Sequence, residues 1–322
     1  MNKLAWGLFW LVGLIWGSSF LLIRMAVGEE GISPSQLVLT RCVIAAVGLN
    51  IVLYLRGKRL PTDWPTIRAL AIIGLGNSTF PYMLIAMGEQ TVSSGLAAVL
   101  QATAALFTLV IAHFAFADER ITPRKIAGIV LGFIGVVVLS SRQLGDGSNL
   151  NSGFLGMISI MGGSLFYATF TVYSKKLIRN KIEPLQVAAG TFISAAFGAV
   201  VLVIIEPLLG GRGWVPFNQL ESNILLAIIT LGIVNTFVAY LFFYYLVQQL
   251  GAFRASTVTY IVPVIGLFLG WLILNEEIDG LLFFGAALIF MGIGVVNIRL
   301  QNLRRKTVQP TLVEAPVVAV EG

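Results

Sequence analysis

Gly128-Ile-Val-Leu-Gly-Phe-Ile-Gly135-Val-Val-Val-Leu-Ser-Ser-Arg142 returns 157 residues later as Gly285-Ala-Ala-Leu-Ile-Phe-Met-Gly292-Ile-Gly-Val-Val-Asn-Ile-Arg299. Any two apolar segments agree by composition. Two glycines and a closing arginine at one shared offset do not. The match extends outward. Asp118-Glu119-Arg120-Ile121 keeps the same offset from Asn275-Glu276-Glu277-Ile278. Asn77 and Tyr82 fall 158 before Asn235 and Tyr240, and Pro34 and Gln36 fall 150 before Pro184 and Gln186. The chain is therefore an internal repeat. Each copy holds five apolar stretches, an odd number, so the second copy must enter the bilayer from the opposite side. That gives inverted repeats about an axis in the membrane plane.

The apolar stretches cover 5–27, 35–55, 67–88, 93–116, 123–141, 153–174, 185–206, 223–247, 254–274 and 281–298. A bilayer core takes about 20 apolar residues at about 1.5 Å rise each. The expected fold is an all-α membrane protein with ten transmembrane helices in two inverted five-helix repeats. Of 322 residues 57% are hydrophobic and 11% charged, against about 25% charged in a soluble domain. The net charge of +6 does not indicate nucleic acid, because the basic residues sit in short links where no solvated basic face forms. Cys42 is the sole cysteine and lies inside the second span, which excludes an internal disulfide and a cysteine metal site. The span after Met1-Asn2-Lys3 is too long for a cleaved signal and reads as a retained helix.

With the N-terminus placed in the cytoplasm, seventeen basic residues fall on the inner side. They are Lys3, Arg56, Lys58, Arg59, Arg68, Arg120, Arg124, Lys125, Lys175, Lys176, Arg179, Lys181, Arg254, Arg299, Arg304, Arg305 and Lys306. Only Arg142 and Arg212 fall outside, and Arg24 and Arg41 lie within spans. This asymmetry follows the positive-inside rule and places both termini in the cytoplasm.

Several motifs carry a family resemblance. Trp16-Gly17-Ser18-Ser19-Phe20 resembles the first-helix signature of the drug/metabolite transporter superfamily, in particular its ten-helix EamA-type branch. Arg41 stands where that family usually has an arginine. Leu250-Gly251-Ala252-Phe253-Arg254-Ala255, Tyr260-Ile261-Val262-Pro263-Val264 and Asn275-Glu276-Glu277 resemble the second repeat's consensus. The resemblance spans residues 5–300. It implies a first repeat over 1–145, a second over 146–300, and a cytoplasmic tail over 301–322, basic and then disordered. It also implies a multi-pass carrier of the cell inner membrane, often an exporter of amino acids or related metabolites. The first repeat departs from the pattern with Leu106 where the family often has proline, so the fourth helix is expected to be straighter than the ninth.

Inverted-repeat carriers bind cargo near half depth, between the copies. The substrate-binding candidates are the polar and aromatic residues within spans. The first helix offers Trp16, Ser18, Ser19 and Arg24, and the sixth offers Tyr167, Thr169 and Thr171. The glycines on these faces serve helix approach equally well. In the third helix Pro81 crowds the carbonyl of Asn77, and Pro263 does the same to that of Thr259. Groups freed in this way need protein or water partners, which favours a wet cavity. Asn77 and Tyr82 are five apart, about 140° around a regular helix, so both face one cavity only if the proline kinks the helix. Asn235 and Tyr240 carry the same condition. Gln101 fits ligand contact or an interhelical bond. Tyr240 and Tyr260 offer flat walls with polar tips. The Phe242-Phe243-Tyr244-Tyr245 run reads as lipid-facing and interfacial.

Arg24 and Arg41 either attract an anionic group of the cargo or reach headgroups or Glu29, Glu30 or Glu89. His113 reads as a packing or interfacial residue rather than a proton relay. No span carries an acidic residue at its middle, which argues for weak or absent proton coupling. One histidine and no mid-span acids leave no catalytic set, no metal site and no cofactor, so an intramembrane enzyme is disfavoured. No ring-forming filter loop indicates a channel. The expected activity is outward carriage of small metabolites, amino acids first and aromatic or hydrophobic ones among them, by alternating access. A multidrug or sugar-phosphate-type carrier is the alternative. The expected partners are the lipid bilayer and a small-molecule substrate, with a monomer expected and a dimer as the alternative.

Overall fold

The computed structural model describes residues 3–116, 121–144, 150–178 and 182–297. Asp118, Glu119, Arg120, Arg179, Lys181, Arg299, the 145/146 repeat boundary and the 301–322 tail lie outside them. Every regular element among the described residues is helical. They are α1 Lys3–Val27, α2 Pro34–Leu55, α3 Trp64–Gly88, α4 Ser94–Ala115, α5 Pro123–Leu144, α6 Leu150–Ile178, α7 Pro184–Leu208, α8 Ser222–Leu250, α9 Arg254–Leu274 and α10 Gly280–Asn297. Nine, α1 to α9, are long and apolar enough to cross a membrane. The apolar part of α10, Gly280–Val296, is shorter.

Local sequence sets where helices begin. Ser33 accepts from the Gln36 N–H at the start of α2, with Pro34 in the first turn. Asp63 does the same for Thr66 at α3, with Pro65 next to it. Glu183 and Gln186 form a capping box at α7. The outward faces stay apolar: Ile126, Val130, Ile134 and Val137 form one exposed stripe at helical spacing on α5. Such a stripe suits lipid.

Three interruptions matter for the site. Leu75–Thr79 in α3 and Leu231–Val238 in α8 are π-helical. Pro81 occupies the first turn of the α-helix that resumes after the first of these. The segment in α8 contains no proline, so the widened turn does not depend on one. In α9, Thr257–Tyr260 is a 3₁₀ turn just before Pro263. The fourth helix has a break of its own: it stops at Gln101 and resumes at Thr103 without any proline. Two tight bonds form the break, Ala102 N–H to the Val99 carbonyl and Ala105 N–H to the Ala102 carbonyl, both 3.1 Å. The Thr103 hydroxyl donates to the Leu100 carbonyl at 2.6 Å and holds the local backbone there.

The copies meet in matching pairs. A Cβ on Gly128 would lie 2.6 Å from the Gly292 carbonyl oxygen, and one on Gly135 would lie 2.7 Å from that of Gly285. The α5 and α10 backbones therefore run antiparallel in direct contact. Exchanging the copies at their shared offset turns one pair into the other. Gly198 against Thr79 and Gly48 against Phe237 are a second such couple. In lipid no hydrophobic force drives helices together, so close backbone approach supplies the adhesion.

Side chains lace the two ends of the bundle. At the end away from the N-terminus, Arg212 donates to the Gly28 carbonyl and the Ser35 N–H donates to Glu206 at 2.9 Å. Gln36 exchanges two bonds with the Val215 backbone, 2.7 and 2.9 Å. Residues 210–219 thus fold over the α1–α2 turn. Near the N-terminal end, Lys58 pairs with Glu183, and Gln186 donates to the Arg59 carbonyl at 2.7 Å. Gln36 and Gln186 do the same work at opposite ends.

Candidate substrate site

The π-helical turns answer the five-residue problem. A turn closed by i→i+5 bonds takes in one extra residue, which brings Asn77 and Tyr82 to the same neighbour. Asn77 Oδ1 accepts from the Thr171 hydroxyl of α6 at 3.3 Å, and the Tyr82 ring lies 6.3 Å from that of Tyr167, one turn along α6. The second copy repeats the arrangement against α1. Asn235 Nδ2 faces the Ile15 carbonyl and the hydroxyls of Ser18 and Ser19, both at 3.0 Å. The Tyr240 ring packs edge-on to Trp16 at 6.0 Å.

These two arms converge on Arg41. Its side chain is buried, not snorkelling. The guanidinium lies 4.3 Å from the Tyr82 ring centroid, and Nε donates to the Thr236 hydroxyl at 3.2 Å. The Tyr82 ring lies between this guanidinium and the ring of Tyr167. Phe192 closes the group 4.9 Å edge-on to Tyr240. Among the described residues Arg41 makes no ion pair with a carboxylate within 4 Å. Asn235 Oδ1 is buried and has no hydrogen-bond partner. A buried cation over an aromatic face, three phenols and an orphaned amide oxygen suit a small molecule with an anionic end, a donor and an apolar body.

This arrangement sits in a chain that matches the EamA-like transporter family over residues 4–141 and again over 154–298. The chain belongs to the EamA-like transporter family. Its members are transporters, not enzymes, and this protein is a membrane transporter of small metabolites. It is 29% identical over 296 residues to an uncharacterized transporter of Archaeoglobus fulgidus, covering 90% of this chain and 98% of that one. It is 28% identical to the inner membrane transporter YedA of Escherichia coli K12, covering 89% and 90%. It is also 26% identical to a probable amino-acid metabolite efflux pump of Escherichia coli K12, covering 88% and 91%. A crystal structure at 20% identity superposes with a TM-score of 0.62 over 91% of this chain and 97% of that one, a likeness of fold.

Not every EamA-type candidate residue joins the cluster. Arg24 lies at the far end of α1 and donates to the Glu89 carbonyl. Gln101 accepts from the Ser164 hydroxyl at 3.2 Å, the interhelical bond. Thr169 bonds back to the Leu165 carbonyl at 2.8 Å, and Thr259 to that of Ser256 at 2.8 Å. Thr171, Thr259 and Tyr260 are exposed. His113 Nδ1 accepts from the Ile121 N–H at 3.2 Å, an end-of-helix contact.

The aromatic run corrects its lipid-facing reading. Tyr244 is buried with its hydroxyl bonded to Gln248 at 2.6 Å, and Phe243 packs on Trp16 at 5.1 Å. The π-helical turn rotates this part of α8 toward α1. Sequence reasoning missed Phe192 and Thr236, whose residue types carry no signal apart from their neighbours.

Proposed function

We propose that this transporter carries amino acids, aromatic or hydrophobic ones foremost, outward across the cytoplasmic membrane by alternating access. Two inverted five-helix repeats rock about the Arg41 cluster, with both termini in the cytoplasm. The pairwise exchange of Gly128–Gly292 with Gly135–Gly285 supports the inverted pairing. The observation that carries the substrate reading is the buried, carboxylate-free Arg41 beside Tyr82, Tyr167 and Tyr240. Arg41 takes the α-carboxylate, the Asn235 oxygen takes the ammonium, and the side chain lies against Trp16 and Phe192. The efflux assignment of the Escherichia coli relative supports the outward direction.

Drug cations fit less well, because Arg41 repels them. Sugar phosphates call for a second deep cation, and Lys175 is exposed. The test is counterflow in proteoliposomes with radiolabelled phenylalanine against unlabelled amino acids, organophosphates and organic cations. Competition by amino acids is expected. Competition confined to organophosphates or cations overturns the reading.

A further inference from the structure

One carboxylate stands outside the site just described. Glu89 is the residue after α3, 0% exposed, and neither of its carboxylate oxygens has a hydrogen-bond partner. Three charged groups act on it from the elements around it. Arg24 on α1 binds the Glu89 backbone carbonyl, not its carboxylate. Arg41 on α2 and Glu276 in the α9–α10 turn act on it through space. Ser94, opening α4, is fully buried with its hydroxyl unpartnered. Burial, and after it the negative charge of Glu276, push the Glu89 carboxyl well above the usual carboxylate range, against the pull of Arg24 and Arg41.

Glu276, whose charge acts on Glu89, also borders solvent. Glu276 Oε1 and Oε2 accept from the Ser94 and Gly95 N–H groups at 2.6 and 2.8 Å. The same Glu276 lines an open cavity of ≈ 420 Å³ with Glu277, Asp279, Asn275 and Trp271. An acidic mouth thus leads to the first turn of α4, and the buried acid lies five residues before that turn.

We propose that Glu89 is a proton-binding site filled from the outer face through the Glu276 mouth, and that its protonation is coupled to transport. The inference rests on the carrier reading above and adds its driving ion. Water at the mouth gives a proton to the Glu89 carboxylate, which closes as a neutral acid in the dry interior. Opening toward the cytoplasm releases the proton to water there, leaving the carboxylate to pair with Arg24 on return. This goes against the sequence expectation of weak coupling, which rested on acids at span centres alone. Glu89 sits at a span end, and burial rather than depth raises its affinity for a proton.

The test uses the full chain in proteoliposomes loaded with radiolabelled phenylalanine. For the wild type, acidifying the compartment facing Glu276 speeds efflux several-fold, and an uncoupler removes the gain. Glu89→Gln, an isostere, keeps counterflow but loses the response to the pH gradient. A wild type that exchanges phenylalanine with no response to the gradient, or a Glu89→Gln variant that keeps the full response, overturns the coupling and leaves the carrier reading intact. Absence of counterflow by the wild type sinks the carrier reading instead. A readout without substrate then decides the proton site. The wild type shows the infrared carbonyl band of a buried protonated carboxylic acid at neutral pH, absent in Glu89→Gln. If wild-type protein lacks that band, the site is refuted even where the variant fails to fold.

Discussion

Removing the Arg41 side chain should separate binding from folding. In Arg41→Ala the protein loses a desolvated cation–π contact, about 2 kcal/mol, and a charged hydrogen bond to Thr236, about 1.5–3 kcal/mol. It also sheds the desolvation penalty of a buried charge, several kcal/mol. Among the described residues no carboxylate lies within ion-pair distance of Arg41, so only its through-space pull on Glu89 is lost with it. These terms nearly cancel, so the melting temperature in detergent should move by only a few degrees. Cargo binding should not be spared. The carboxylate loses its charged partner, about 1.5–3 kcal/mol, which is roughly 10- to 140-fold in affinity at about 1.4 kcal/mol per decade. The assay is competition of phenylalanine and of phenylalaninamide, which lacks the carboxylate, against wild type and variant. Phenylalanine should weaken and the amide should bind both alike. A phenylalanine affinity within about twofold of wild type would refute the site as drawn, since the lost charged bond alone exceeds that.

Gly292→Ala would place a Cβ 2.5 Å from the Gly128 carbonyl oxygen and 2.7 Å from the Gly132 nitrogen, both backbone. The α5–α10 contact should part at a cost of about 1–3 kcal/mol, read as a lower melting temperature in detergent; an unchanged value means that the helices are not in backbone contact. Glu276→Ala removes the acceptor for two N–H groups at the start of α4, so that end should open more often. A cysteine at buried Val92, in a Cys42→Ala background, should then react faster with an impermeant maleimide, and an equal rate argues against a latch. The raised carboxyl of Glu89 means that the folded state binds the proton more tightly than the unfolded one, whose value is about 4.3. Stability should therefore fall as pH rises from there through the folded value, and Glu89→Gln should flatten that slope in pH-dependent melting.

Much of the architecture is legible in the chain because it follows from local rules. Span length follows from bilayer thickness, and the helix starts at Ser33, Asp63 and Glu183 follow from side chains that cap them. The repeat follows from glycines and polar residues at one offset, and the glycines turn out to be where α5 and α10 touch. Ser18, Ser19, Asn77, Tyr82, Asn235 and Tyr240 were readable as candidates, since polar groups inside spans need partners.

What the chain could not settle is which of these groups meet. A regular period assigns each residue a face, but the face rotates wherever the hydrogen-bond pattern changes. The π-helical turns at Leu75–Thr79 and Leu231–Val238 do this, bringing Tyr82 toward Arg41 and burying Tyr244. The break at Ala102 arises from hydroxyl and tight-turn bonding, with no proline to announce it. Burial of Glu89 depends on three separate segments closing around it. Sequence alone determined an all-helical membrane protein with an internal repeat of its glycines and polar residues. Tertiary structure alone decided that Arg41 faces phenols without an acid partner and that Glu89 is sealed from water, because charge partners and solvent access belong to neighbours distant along the chain.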